Sequence, residues 1–187
     1  MSEGLFVGRD RELSSLVSRS LSVGEAGGRI DLISGEPGIG KTALVSTMAQ
    51  KLTEHGFSTH VAKCVEEIAP PYWPWIGIIR TLAVSINIAR FSETAPDRVN
   101  YIAKLVPNLI PTAPSSESLA SISLEMLEDS GKFYLHQAIY EFLGYASTER
   151  TFALILEDLH WADSGSCHLL EFLAREIENL PIHIVCT

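Results

Sequence analysis

The alternation of apolar and polar positions along the chain predicts buried strands that alternate with amphipathic helices. Leu13, Leu16, Val17 and Leu21 form one apolar stripe, which predicts a first helix from Asp10 to Val23. The other predicted elements, in chain order, are a mostly buried strand at Ile30–Ile33, a helix at Gly40–Glu54, a strand at Ser58–Cys64, helices at Trp73–Ala89, Asp97–Val106 and Leu124–Ala146, a strand at Phe152–Leu156, a helix at Ser164–Glu178 and a strand at Ile182–Cys186.

The strand predicted at Phe152–Leu156 indicates the fold class. Its five apolar residues show no alternation, so both faces of the strand must be covered, as in a parallel sheet with helices on either side. Strands that alternate with helices predict a doubly wound α/β domain. We expect residues 1–187 to form one such domain, with a Pro- and Ser-rich surface loop at residues 107–123.

Composition and charge narrow the class of protein. The net charge of −9 argues against a surface that grips nucleic acid. The three cysteines, Cys64, Cys167 and Cys186, are far apart and form no CxxC pair, which predicts neither a disulfide framework nor a zinc site. No signal peptide and no apolar run of roughly 20 residues is found, so a cytoplasmic protein without a membrane partner is expected.

The segment Gly35-Glu36-Pro37-Gly38-Ile39-Gly40-Lys41-Thr42 matches the phosphate-binding pattern GxxxxGK[ST] at every fixed position. The glycines let the backbone N–H groups approach phosphate oxygens, and the helix that follows adds the positive end of its dipole. Lys41 is expected to reach the β- and γ-phosphates, and Thr42 to offer its hydroxyl to Mg²⁺. The motif follows a predicted strand and opens a predicted helix, and the fold is therefore predicted to be a P-loop NTPase three-layer sandwich that binds ATP and Mg²⁺.

Two acidic residues, Glu157 and Asp158, follow the strand Phe152–Leu156 directly. An ATP site needs a carboxylate for Mg²⁺ and, for hydrolysis, one that positions the attacking water. Open α/β sheets bind their ligands at the carboxyl ends of the strands, where this pair is predicted to lie. The alternative is a solvated turn, since acids often follow strands.

Four segments give the chain a resemblance to the AAA/STAND group of signalling ATPases. It is most similar to the origin-recognition-complex-like AAA ATPase module found in large bacterial LuxR-type regulators and in multidomain nucleotide cyclases. The segments are Phe6-Val7-Gly8-Arg9-Asp10-Arg11-Glu12-Leu13, the motif Gly35–Thr42 (called the phosphate loop below), Pro71-Tyr72-Trp73-Pro74-Trp75 and Leu156-Glu157-Asp158-Leu159-His160-Trp161-Ala162-Asp163.

The resemblance implies a role for each matching position. Val7, Gly8 and Arg9 would contact the base and ribose, although Phe6 and Val7 equally suit packing beneath the first helix. Glu157 would hold Mg²⁺, partly through water, and Asp158 would orient the hydrolytic water. The family more often has Asp at the first acidic position, and its stronger motors have Glu at the second, which favours slow hydrolysis or a nucleotide-held switch here.

The resemblance also implies that the chain is the N-terminal part of a longer protein. Thr187 would be the first of two residues that sense the γ-phosphate, and a fifth strand and a helical lid would lie beyond it. Without the fifth strand, the strand Ile30–Ile33 would form an exposed apolar edge. The implied partners are ATP or ADP, the domains beyond residue 187 and other copies of the chain.

Three other features have simpler structural explanations. Asp163 precedes a predicted helix and suits an N-cap. The aromatic residues of Pro71–Trp75 suit core packing, although stacking on a base is an alternative. His160 and His168 are eight residues apart, but no third ligand is evident for a metal.

These features together predict the nucleotide-binding core of a regulatory ATPase in signal transduction or transcription control. One alternative is a P-loop kinase for a small molecule, although Arg80, Arg90 and Arg98 do not form the arginine cluster that its lid would need. The other alternative is a binding module in which the nucleotide only stabilises the fold.

Overall fold

Four parallel strands form one sheet in the computed structural model, which describes residues 8–66, 69–107, 109 and 129–187, with 129 and 130 by their backbone alone. The strands are β1 (Arg29–Leu32), β2 (Ser58–Lys63), β3 (Phe152–Glu157) and β4 (His183–Cys186). Their order in the sheet is β1-β4-β3-β2, and every neighbouring pair is parallel. All four strands therefore end at the same edge of the sheet, which is the edge where open α/β sheets bind their ligands.

Helices cover both faces of this sheet. In chain order they are α1 (Asp10–Leu21), α2 (Val23–Ala26), α3 (Lys41–Glu54), α4 (Trp73–Ser85), α5 (Ile88–Thr94), α6 (Pro96–Leu105), α7 (Asp129–Glu149) and α8 (Ser164–Glu176). Short 3₁₀ turns follow β3 at Leu159–Trp161 and α8 at Ile177–Asn179. The predicted α/β class with a parallel sheet between helical layers is confirmed.

The core has two parts, one on each face of the sheet. Ala153 and Ile155 of β3 pack with apolar residues of α1 and α3. Leu154 and Leu156 point the other way, into a larger cluster with α4 to α8. Because alternate residues of β3 enter different clusters, its five consecutive apolar residues are all buried, as the absence of alternation predicted.

The first strand is less buried than its apolar sequence predicts. It spans Arg29–Leu32 rather than Ile30–Ile33, its residues are half-buried, and Leu32 is 69% exposed. The prediction of a mostly buried strand is therefore wrong. The strand order explains this, since β1 pairs only with β4 among the described residues and lies at the edge of the sheet, the position that the resemblance implied.

The helix predicted at Trp73–Ala89 is divided into α4 and α5. The backbone is extended at Ile86, and Asn87 begins the next helix because its side chain accepts a hydrogen bond from the backbone N–H of Arg90 at 3.1 Å. The carboxylate of Glu149 also accepts from the N–H of Asn87 at 2.7 Å. A local cap and a distant acid together favour the break, and only the cap is visible in the sequence.

Other predicted bounds differ by a few residues. The last helix ends at Glu176 in a 3₁₀ turn rather than at Glu178, and the long helix before β3 continues to Glu149. The loop predicted at residues 107–123 lies outside the described residues except for Pro107 and Leu109. No helix among the described residues combines the length and the apolar character needed to cross a bilayer.

A buried polar network fixes α1 against the sheet. The Nδ1 atom of His183 lies 2.7 Å from the hydroxyl of Ser20, and its Nε2 atom lies 3.0 Å from Asp31. Arg19 pairs with the other oxygen of Asp31 at 2.6 Å. Burial lowers the pKa of His183, and the carboxylate of Asp31 opposes that shift. The network joins α1 to the strand that leads into the predicted phosphate loop.

Candidate functional site

The loop of residues 35–42 connects β1 to α3 and has the backbone shape that its glycines permit. Gly38 and Gly40 have positive φ angles of 80° and 93°, a region that residues with a Cβ rarely adopt. A Cβ on Gly35 would approach the side chain of Ile39 to 3.0 Å. Residues 34–39 are exposed, so the loop is open to a ligand.

Lys41 curls back over this loop. Its Nζ atom donates to the backbone oxygen of Gly35 at 2.7 Å and to that of Glu36 at 3.3 Å. The ammonium is therefore held by two neutral carbonyl groups of the loop. A phosphate oxygen in the same place would be a charged and stronger acceptor.

The N-terminus of α3 faces the same loop. Gly40 is its N-cap, and no side chain caps the helix there. The first backbone bond of the helix is donated by Leu44 to the oxygen of Gly40 at 3.0 Å. The N–H groups of Lys41, Thr42 and Ala43 come before that bond and are available to an anion. The exposed Thr42 adds its hydroxyl in the first turn.

The acidic pair lies at the end of β3. Glu157 is the last residue of the strand and is half-buried, and Asp158 follows in the left-handed region with φ 57°. Asp158 forms an ion pair with Lys63, with 3.1 Å between Oδ2 and Nζ. Lys63 ends β2, on the side of β3 that faces away from β1. The carboxylate of Asp158 is therefore held toward β2 and away from the phosphate loop.

Thr187 lies between the phosphate loop, which follows β1, and the acidic pair at the end of β3. It follows β4, which separates β1 from β3 in the sheet. Its hydroxyl accepts a hydrogen bond from the N–H of Asp158 at 3.2 Å, and its backbone oxygen accepts from the N–H of Leu159 at 2.7 Å. Thr187 thus holds the backbone at Asp158 and Leu159, the turn after β3 that is called the acidic turn below. The sequence resemblance assigned it to phosphate sensing and did not predict this contact.

Asp163 caps α8, as its position predicted. Its carboxylate accepts from the backbone N–H of Ser166 at 3.0 Å and from the Ser166 hydroxyl at 2.6 Å. Both of its oxygens also lie 3.1 Å from the backbone nitrogen of Tyr72. This carboxylate therefore joins the segment Pro71–Trp75 to the segment that ends at Asp163. No local sequence pattern predicts a contact between residues that are 91 positions apart.

The aromatic residues of Pro71–Trp75 divide into two sets. Trp75 is fully buried and Tyr72 is 5% exposed, so packing is the correct interpretation for both. Trp73 is 41% exposed, and for this residue the prediction of core packing is wrong. The hydroxyl of Tyr72 lies 3.0 Å from Nε2 of His136 on α7. Burial, and secondarily the charge of Asp163, raises the pKa of Tyr72 to about 12.

The segment expected beside the base is only partly described. Phe6 and Val7 lie outside the described residues. Gly8 has a φ of 95°, and Arg9 begins α1 by accepting a hydrogen bond from the N–H of Leu13 at 3.0 Å. A base contact by Val7, Gly8 or Arg9 stays a prediction.

The oxygen atoms expected to hold Mg²⁺ come from the ends of two elements. The hydroxyl of Thr42 and the carboxylate of Glu157 are hard oxygen donors, and both belong to the carboxyl edge of the sheet. Mg²⁺ keeps several waters and usually takes only one or two protein carboxylates together with phosphate oxygens, so this donor set fits it. Within the described ranges, no group of three or more His, Cys, Asp or Glu side chains is arranged to hold a metal ion.

The sequence model of the AAA ATPase domain family matches residues 5–185, which is nearly the whole chain. No curated protein matches the chain. The family match covers the phosphate loop, the acidic pair and the helices between them.

Proposed function

The chain belongs to the AAA ATPase domain family, and on that premise we propose that it is the ATP-binding core of a regulatory ATPase that hydrolyses ATP slowly. The regulatory role follows from the resemblance to signalling ATPases and from the acidic pair. The state of the nucleotide would set the conformation of the acidic turn.

The phosphate groups of ATP would bind at the loop of residues 35–42. The N–H groups of the first turn of α3 would donate to phosphate oxygens, and Lys41 would exchange the carbonyl oxygens of Gly35 and Glu36 for a charged acceptor. Thr42 and Glu157 would hold Mg²⁺. The ion, when bound, neutralises charge on the phosphate oxygens.

Asp158 would position the water that attacks the γ-phosphate. In the structure its carboxylate contacts Lys63 and faces away from the phosphate loop. We propose that this is the resting arrangement. Asp158 would have to leave Lys63 before it could accept a hydrogen bond from a water beside the phosphate, which agrees with slow turnover.

The strand order is the observation that supports this proposal best. β1, β4 and β3 are neighbours and parallel, with Leu32 level with Cys186 and Cys186 level with Leu156. The loop after β1 and the acids after β3 consequently emerge at one edge, one strand apart. A Gly-rich loop without nearby acids would support phosphate binding alone, whereas this arrangement would also offer carboxylates for Mg²⁺ and for the attacking water.

Substitution of Asp158 by Asn tests the hydrolytic part of the proposal. The amide keeps the shape of the side chain but is a poor base, so phosphate release should fall by at least about 100-fold. The affinity for a fluorescent ATP analogue should stay within about twofold of wild type because Asp158 does not touch the phosphate loop. Glu54→Gln, an exposed acid on α3, is the matched control and should change neither quantity.

The two outcomes distinguish the proposal from its alternatives. Phosphate release that is equal in wild type and Asp158→Asn would contradict the role of Asp158. Tight nucleotide binding with no phosphate release by the wild type would instead identify a module that binds nucleotide without catalysis.

A further inference from the structure

A small cavity lies beside the acidic turn, at the carboxyl ends of β2 and β3. Its volume is about 130 Å³, and three loops contribute to it. The residues that matter for its chemistry are Cys64 and Glu66 after β2, Trp73 at the start of α4, and Trp161 and Asp163 after β3. The proposed nucleotide site uses none of the side chains that line this cavity.

The cavity exposes two tryptophans. Trp73 is 41% exposed and Trp161 is 42% exposed, whereas Trp75, two residues from Trp73, is fully buried and bonds through its indole N–H to the oxygen of Ser166. A buried aromatic ring contributes to the core, as Trp75 does, whereas an exposed ring can contact a ligand. Trp73 and Trp161 each leave about two fifths of their surface open and both line this cavity, so they offer aromatic surface to a ligand.

The charged side chains that line the cavity, among the residues that the structure describes, are acidic. Glu66 is exposed, and Asp163 presents a carboxylate whose hydrogen bonds all come from neutral donors. Burial raises the pKa of the Cys64 thiol to about 11, with further contributions from Cys167 and from the carboxylates of Asp163 and Asp158. The interior of the cavity is therefore unfavourable for an anion. Lys63, the neighbouring cation, is paired with Asp158.

Size limits the ligand further. A volume of about 130 Å³ is well below the lower limit of about 300 Å³ for pockets that enclose drug-sized ligands. The cavity therefore suits a compact head group better than a whole nucleotide. Aromatic rings attract cations through their negative faces, and aromatic sites with acids recognise methylated ammonium groups in particular.

We propose that this cavity binds a methylated ammonium group, with Trp73 and Trp161 as its aromatic walls and Glu66 as the compensating charge. The cation lies against the indole rings, and the carboxylates of Glu66 and Asp163 balance its charge. The proposal goes beyond nucleotide binding and does not depend on it, because neither the phosphate loop nor α3 contributes to the cavity.

Tryptophan fluorescence tests this proposal on the intact chain. Choline is titrated at constant ionic strength, and its uncharged carbon isostere 3,3-dimethyl-1-butanol is titrated in parallel. The expected result is a saturable change with choline and at least about tenfold weaker binding of the isostere, because the cation–aromatic attraction is lost. Trp75 is buried and contributes a constant background.

Variants identify the site. Trp161→Leu and Glu66→Gln should each weaken choline binding by about tenfold, since one removes a ring and the other a charge. Both side chains are exposed, so the fold should tolerate the changes. Glu54→Gln removes an equally exposed acid on α3 and should bind choline like the wild type.

Each of the following results would overturn the proposal. They are a wild-type signal that does not saturate, equal binding of choline and its isostere, and unchanged binding in both Trp161→Leu and Glu66→Gln. Tighter binding of methylguanidine than of choline would contradict the assignment to an ammonium group. A melting shift with ATP in the same preparation reports on the nucleotide site separately.

Discussion

Lys63 forms an ion pair with Asp158 and so restrains its carboxylate. The ion pair is partly exposed, with 64% of the Lys63 side chain and 28% of the Asp158 side chain open to solvent. Pairs of this kind contribute at most about 1 kcal/mol. The pair is therefore only a weak restraint on the Asp158 carboxylate.

Replacement of Lys63 by Met should release Asp158. Hydrolysis should rise by up to about fivefold, which corresponds to the roughly 1 kcal/mol that the exposed pair is worth. Phosphate release at saturating ATP measures the effect, and Lys51→Met, an exposed lysine of α3, serves as control. A rate that falls or stays unchanged in Lys63→Met would show that the pair does not restrain the acid.

His136 makes the stability of the chain depend on pH. It is 6% exposed, and its pKa is lowered from 6.5 to about 4, first by burial and then by the charges of His168 and Lys132. Between pH 6.5 and 4 the unfolded chain binds a proton that the native chain does not, so the free energy of unfolding falls as the pH falls.

The variant His136→Gln isolates this contribution, because the Gln amide can still form a hydrogen bond with the Tyr72 hydroxyl but does not titrate. Between about pH 7.5 and 5.5, the wild type should lose about 1 kcal/mol more unfolding free energy than the variant. Urea unfolding at the two pH values measures the difference. An equal loss in both proteins would contradict the assignment to His136, since the other histidines contribute alike to both.

At the scale of elements, Asp163 joins the start of α4 to the start of α8. Asp163→Ala removes a helix cap, worth about 1 kcal/mol, and leaves the N–H of Tyr72 without its acceptor, at a further cost of about 1–3 kcal/mol. Asp163→Ser keeps a capping oxygen on a shorter side chain and should lose only the second contribution. Urea unfolding should rank wild type, Ser and Ala in that order, and a Ser variant as stable as wild type would show that the Tyr72 contact adds nothing.

The sequence predicts those elements whose causes are local. The phosphate loop, the strand β3 and the cap at Asp163 each follow from a motif, an apolar run or a neighbouring helix, and the structure has all three features. The break between α4 and α5 and the pairing of Asp158 with Lys63 depend on side chains brought together by tertiary structure. Periodicity along the chain contains no information on such partners.

At the scale of the whole molecule, strand order separates what the sequence predicts from what it leaves open. Four alternating strands and helices predict a parallel sheet but not that β4 lies between β1 and β3. The family resemblance implied only that the first strand would lie at an edge. That order leaves β1 at an edge with half-buried residues and places Thr187 between the phosphate loop and the acidic pair. The site is consequently a property of the sheet, although each of its residues is recognisable in the sequence.

Nucleotide binding at the phosphate loop is tested most simply by the melting temperature of the wild type and of Lys41→Ala, each with and without ATP and Mg²⁺. A ligand at 100 times its dissociation constant adds about 2.7 kcal/mol of stability, which corresponds to a rise of roughly 5–10 °C for a domain of this size. If the nucleotide binds through Lys41, we expect this rise in the wild type and little or none in Lys41→Ala. Without ligand, the two proteins should have the same melting temperature. An absent rise in a folded wild type, or an equal rise in both proteins, would contradict nucleotide binding through Lys41 at this loop.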